Sequence, residues 1–119
     1  MSTKSPECWA SDPNAEALRI EVSPERSLLL PHDQFMFAEL TSSRDEQKLK
    51  LVFAAHEVSI RGHHLRRIET VMQRMELSLL AKIPVSQRNL ITEGQPVILE
   101  IVVTEVPSQQ NRIEKMSGA

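Results

Sequence analysis

Four histidines, His32, His56, His63 and His64, raise the first chemical question this chain poses, because imidazoles are the commonest metal ligands. His56-Glu57 opens as a His-Glu-x-x-His zinc motif would, yet Ile60 stands where the second histidine belongs, and the surrounding alternation is that of a strand. At about 3.3 Å per residue, His56 at a hairpin tip and His63 beyond the far strand end lie roughly 15–20 Å apart, too far to share an ion. The neighbours His63 and His64 diverge by about 100° on a helix and point to opposite faces of a strand. A metal centre is therefore not expected. Solvent-exposed turn and helix-end positions are the expected places for these side chains.

Covalent catalysis finds no better footing. The chain has no Gly-x-Ser-x-Gly elbow, and Cys8, its single cysteine, falls in a polar leader with no positioned base to lower its pKa. Gly62, Gly94 and Gly118 are the only glycines and are far apart in sequence, which excludes a glycine-rich phosphate loop. Asp45 and Glu46 sit in a polar stretch where carboxylates are ordinarily just solvated. No enzyme activity and no cofactor are expected.

One asymmetry of charge remains. Between Lys48 and Arg74 stand six basic residues, Lys48, Lys50, Arg61, Arg66, Arg67 and Arg74, against Glu57 and Glu69, a local excess of +4 in a chain whose net charge is −2. With His63 and His64 these make a candidate anion-binding patch. Lys50 is expected opposite Arg61 on the outer face of a hairpin, and Arg66 and Arg67 at the start of a helix. Both arrangements are mildly unfavourable, by a few tenths to about 1 kcal/mol each, and local rule-breaking of this kind can mark a site for phosphate, nucleic acid or an acidic partner. Neutralisation of the patch by nearby carboxylates is the commoner outcome, and no aromatic ring lies within it for base stacking.

The elements that would position these residues can be read from periodicity. Leu18, Ile20 and Val22 alternate with polar residues up to Pro24, Leu28 to Leu30 form a short apolar run closed by Pro31, and Phe35 to Thr41 is apolar enough for a strand. Lys48 to Arg61 reads as a hairpin with its turn at Ala55 and His56, placing Phe53 opposite Val58 and Leu51 opposite Ile60; no Asn-Gly or Asp-Gly marks that turn. Gly62 ends the second strand, and Leu65, Ile68, Val71, Met72 and Met75 give a helix from about His63 to Met75. Beyond it the helix either continues through Leu79 and Ile83 or gives way at Glu76 to a strand, which the alternation of Leu77, Leu79 and Ala81 favours. Leu90 and Ile91 are an anchoring pair in an otherwise polar stretch. Val97 to Val106 is the strongest strand, with Val97, Leu99, Ile101 and Val103 on one face and Ile98, Val102 and Val106 making the other a candidate interface.

The expected fold is α+β: one antiparallel sheet of five to six short strands, curved or partly closed, with one main amphipathic helix. Residues 17–106 make a single domain, 1–16 a disordered or loosely packed leader and 107–119 a polar tail. The length of 119 residues suits one core, and with 40% hydrophobic residues wholesale disorder is not expected. Aromatic residues are scarce: Phe35, Phe37, Phe53 and Trp9, with no Tyr. Lacking a signal segment or an apolar run of spanning length, the chain is expected in the cytoplasm, without a membrane partner. The function these features favour is a non-enzymatic interaction or assembly module with a protein partner or self-association; nucleic-acid or other polyanion binding through the basic patch is the alternative.

Overall fold

A computed structural model describes residues 8–90 and 93–106. The 107–119 tail, the beginning of the leader and Ile91 lie outside the described residues. Strands dominate: β1 (Trp9–Ser11), β2 (Ala17–Ser23), β3 (Arg26–Pro31), β4 (Phe35–Ser42), β5 (Gln47–Phe53), β6 (His56–His63), β7 (Leu77–Ala81) and β8 (Val97–Glu105), with one α-helix, α1 (Arg66–Gln73), and 3-10 turns at His32–Gln34 and Val85–Leu90. The mixed α+β class stands, but in place of one sheet of five to six strands there are two sheets of four, in the orders β1-β7-β2-β3 and β4-β5-β6-β8. Nor is the arrangement wholly antiparallel, because β2 and β7 run parallel, pairing Ile20 with Leu80.

Both sheets turn their apolar alternation inward onto one core. Leu18, Ile20, Leu77 and Leu80 come from the first sheet, and Leu49, Leu51, Phe53, Val58, Ile60 and Ile98 from the second. Helix α1 contributes Ile68 and Met72, with Leu65 just before it, while Val71 and Met75 pack at the margin. The helical spacing thus formed the stripe that periodicity demands. The helix is shorter than the expected His63 to Met75, because His63 belongs to β6 and His64 takes a left-handed φ of 56°, redirecting the chain. At its other end Met75 N–H donates to Met72 O at 2.8 Å and Glu76 N–H to Val71 O at 3.1 Å, with Met75 at φ 57°. This is a Schellman cap with methionine where glycine is usual, and it releases the chain into β7.

The β5–β6 hairpin exists with its faces as expected but in another register. Leu51 pairs with Val58 and Leu49 with Ile60, not Phe53 with Val58 and Leu51 with Ile60. The last paired residues are Val52 and Glu57, leaving a wider connection whose tip is held from outside: Ala54 N–H donates to Gln34 O at 2.8 Å and Val106 N–H to Ala55 O at 2.9 Å. A slip of two residues preserves which side chains face the core, so hydrophobic alternation could not detect it.

Gly62 does not end the strand. It lies inside β6 opposite Ile98, at a bulge where Arg61 pairs with Glu100 and Leu99 is the extra residue. The bulge exchanges the faces of β8, so that Ile101 and Val103 point inward on one side of it and Ile98 on the other. Cys8 and Trp9, expected in a loose leader, are fixed by β1: the Cys8 side chain is buried, its Sγ donating to Pro96 O at 3.3 Å, and Trp9 pairs with Leu80. Burial pushes the Cys8 thiol up to about 11, against weaker opposing hydrogen bonds from backbone groups. Leu90, expected to anchor its segment, is 62% exposed, and Ile83 is buried in that region instead. Among the described residues no helix is long and apolar enough to cross a membrane.

Candidate anion-binding site

The residues of the expected basic patch divide between two surfaces. Lys48, Lys50 and Arg61 occupy the outer face of the second sheet, where cross-strand rows run Thr41, Lys48, Arg61, Glu100 and Glu39, Lys50, Ser59, Val102. Lys48, not Lys50, is therefore opposite Arg61. Carboxylates meet two of these three charges: Arg61 Nη1 lies 3.0 Å from Glu46 Oε1 and its Nε 3.3 Å from Glu100 Oε1, and Lys50 Nζ is 3.7 Å from Glu39, while Lys48 makes no ion pair among the described residues. Hydrogen bonds to Glu100 and to Glu46 hold the Arg61 guanidinium above its ordinary pKa. This face is a balanced ionic lattice, with Glu57 also lining its shallow depression.

The other half of the patch is different. His64, Arg66, Arg67 and Arg74 line one open groove of about 770 Å³ along α1. Arg67, Val71 and Arg74 recur at helical spacing on the exposed flank of the helix, and Arg66 and Thr70 form the neighbouring ridge. Across from them stand Trp9 of β1, Gln47 of β5 and Gly94 in the turn before β8. No carboxylate is among these lining residues. Glu69, the only acid within α1, lines a separate depression with Phe35, Ala38, Met72 and Gln73. Among the described residues no ion pair engages Arg66, Arg67 or Arg74.

Hydrogen bonds give the groove its shape. Gln47 Oε1 accepts from Leu65 N–H at 2.7 Å while Gln47 Nε2 donates to Ser42 Oγ at 3.1 Å, so one side chain ties β5 to the helix start and to β4. Arg67 Nη1 donates to Gln95 Oε1 at 3.3 Å, spanning from helix to turn. Thr70 Oγ1 donates to the Arg66 carbonyl at 3.0 Å. Gly94 adopts φ 87°, and a Cβ there would meet no atom within 4 Å, so this residue serves the turn and leaves the groove unobstructed. Guanidinium forks and an imidazole on a groove whose described lining holds no carboxylate can chemically do one thing well, which is to receive an anion with directed N–H donors.

His63 pairs with Val97 at the end of β6 and does not line the groove. His56 begins β6 and His63 ends it, so these two stand at opposite ends of an eight-residue strand. His32 is not an exposed turn residue: it is 5% exposed, and its Nε2–H donates to the Leu77 carbonyl at 2.7 Å, tying the turn before β4 to β7. The proposed interface residues are not brought together either. Ile98 is fully buried under the bulge, whereas Val102 is 47% exposed on the outer sheet face and half-buried Val106 follows the strand.

Gln47, Thr70 and Gly94 were not among the candidate site residues in sequence, and Trp9 was expected only to pin the leader onto its own domain or a partner, not to line a site. Trp9 is the most consequential, since it puts an aromatic ring on the same groove as arginines 57 or more positions away in sequence. Its only signal was a lone tryptophan in a polar leader. No known protein family matches this chain, and no curated protein or solved structure matches it either.

Proposed function

We propose that this protein is a non-enzymatic binding module whose groove along α1 receives a phosphate-bearing anion. The observation that carries this reading is the set Arg66, Arg67, Arg74 and His64 lining one groove with no carboxylate among its described walls. Charge-assisted hydrogen bonds contribute about 1.5–3 kcal/mol each where water is excluded, and with Arg66, Arg67, Arg74 and His64 on one groove, several such bonds to a single anion offset part of the cost of association. The row from Arg66 to Arg74 is only about 12 Å long at 1.5 Å per residue, which suits a small ligand better than a long polymer. A long polyanion would also meet the rest of the chain, which carries −6 outside Lys48 to Arg74.

Calorimetric titration with inorganic pyrophosphate at about 50 mM salt tests the reading. Binding should weaken as salt rises and fall at least tenfold in the double variant Arg67→Glu, Arg74→Glu, whose altered side chains lie on the solvent flank of α1. Absence of pyrophosphate binding to the unaltered protein at that salt overturns it.

A further inference from the structure

The groove's one aromatic wall narrows the ligand class. Trp9 is the chain's single tryptophan, and it is held at the groove by two fixed neighbours rather than by a loose tail: its pairing with Leu80 on β7 and the 2.8 Å hydrogen bond from Ala81 N–H to Cys8 O. Part of the indole packs against the core and part remains open as groove wall. Val71 supplies the apolar floor between Arg67 and Arg74. A site built for inorganic phosphate alone gains nothing from an indole and a valine, whereas a ligand with a planar ring gains stacking on the first and contact with the second.

Spacing adds a second constraint. Arg67 in α1 and Arg74 at its C-terminal cap are seven residues apart, roughly 10 Å along the axis at 1.5 Å per residue. One phosphate is too small to sit directly over both. A chain of phosphates, or phosphates at one end and a ring at the other, matches that length. Resting on the anion-binding reading above, we infer that the ligand is a free nucleoside di- or triphosphate, its base against Trp9 and its phosphates on the arginine row of α1.

The single tryptophan makes the test direct, because excitation at the red edge of indole absorption reports on this groove alone. The probes are ADP, GDP and inorganic pyrophosphate, titrated by calorimetry and by Trp9 emission at about 50 mM salt. At least one nucleotide should bind about tenfold tighter than pyrophosphate, the increment a single stacked base supplies, and should quench Trp9. Trp9→Leu, which keeps apolar packing against the core, should bring nucleotide affinity down to that of pyrophosphate measured on the same variant. Equal affinities for nucleotides and pyrophosphate in the unaltered protein, without emission change, overturn the nucleotide inference while the anion-binding reading stands. Loss of all binding removes both. A ten-residue oligothymidylate bound at least tenfold tighter than either nucleotide replaces the free nucleotide with single-stranded nucleic acid. Because the nucleotide against pyrophosphate comparison needs only the unaltered chain, the outcome does not depend on whether Trp9→Leu folds.

Discussion

At the scale of single residues, two buried polar groups have effects that their sequence context conceals. The Cys8 thiol is buried and has its pKa raised from 9.0 to about 11. A thiol-specific reagent at pH 8 should therefore react with the folded protein at least tenfold more slowly than with protein unfolded in urea. The same shift fixes a pH dependence. Ionisation is harder in the folded state, so the contribution of Cys8 is fully present below pH 9 and is lost as pH rises from about 9 to about 11, by an amount on the order of 3 kcal/mol. Denaturation curves across that window should fall less steeply for Cys8→Ala than for the unaltered chain. His32 acts through geometry: its Nε2–H satisfies the buried Leu77 carbonyl. His32→Ala strands that acceptor and opens a cavity, and should cost about 2–4 kcal/mol in urea unfolding with the α1 groove's pyrophosphate affinity unchanged.

At the scale of elements, the bulge between β6 and β8 governs more than its length implies. Gly62 allows the β8 backbone so close that a Cβ would lie 1.8 Å from the Val97 carbonyl oxygen, a main-chain atom that cannot swing aside. Gly62→Ala should destabilise the protein by about 3 kcal/mol or more, measured as a fall in the urea midpoint, because one of the two strands has to move. The glycine was visible in sequence, but its meaning was not: a glycine after alternating residues reads equally as a strand end or as a close approach. For the same reason Ile98 and Val102 looked like one face. Strict alternation assigns even-numbered residues together, and a bulge at Leu99 separates them. The strand at Leu77–Ala81 was legible as a strand from its Leu77, Leu79, Ala81 alternation, but its inner face was not: Leu77 and Leu80 are the buried pair, because the pairing with β1 skips Ser78. Its parallel pairing with β2 was not legible, since pairing direction leaves no mark on the alternation itself.

Across the whole molecule, the excess positive charge of one sequence segment is divided between a neutralised sheet face and a free helix groove, and the two should respond independently. Lys50→Glu, on the sheet face beside Glu39, should leave pyrophosphate binding within about twofold of the unaltered protein, whereas Arg67→Glu with Arg74→Glu should remove at least tenfold. Equal losses from both would mean that a diffuse field, not a groove, attracts the anion. What the sequence determined by itself was local: the inward alternation of β2, β5 and β6, the apolar stripe of α1, the strand after it, and which segment carries surplus arginine, all properties of side-chain period and type within a dozen residues. The tertiary structure decided everything that joins distant residues: the division into two sheets, the hairpin register pinned by Gln34 and Val106, the matching of Arg61 with Glu46 and Glu100, and the delivery of Trp9 to the arginines of α1 through β1 and β7. Each of these depends on hydrogen bonds or charges contributed from elsewhere in the chain, and period 2 or 3.6 along one segment carries no information about its partner.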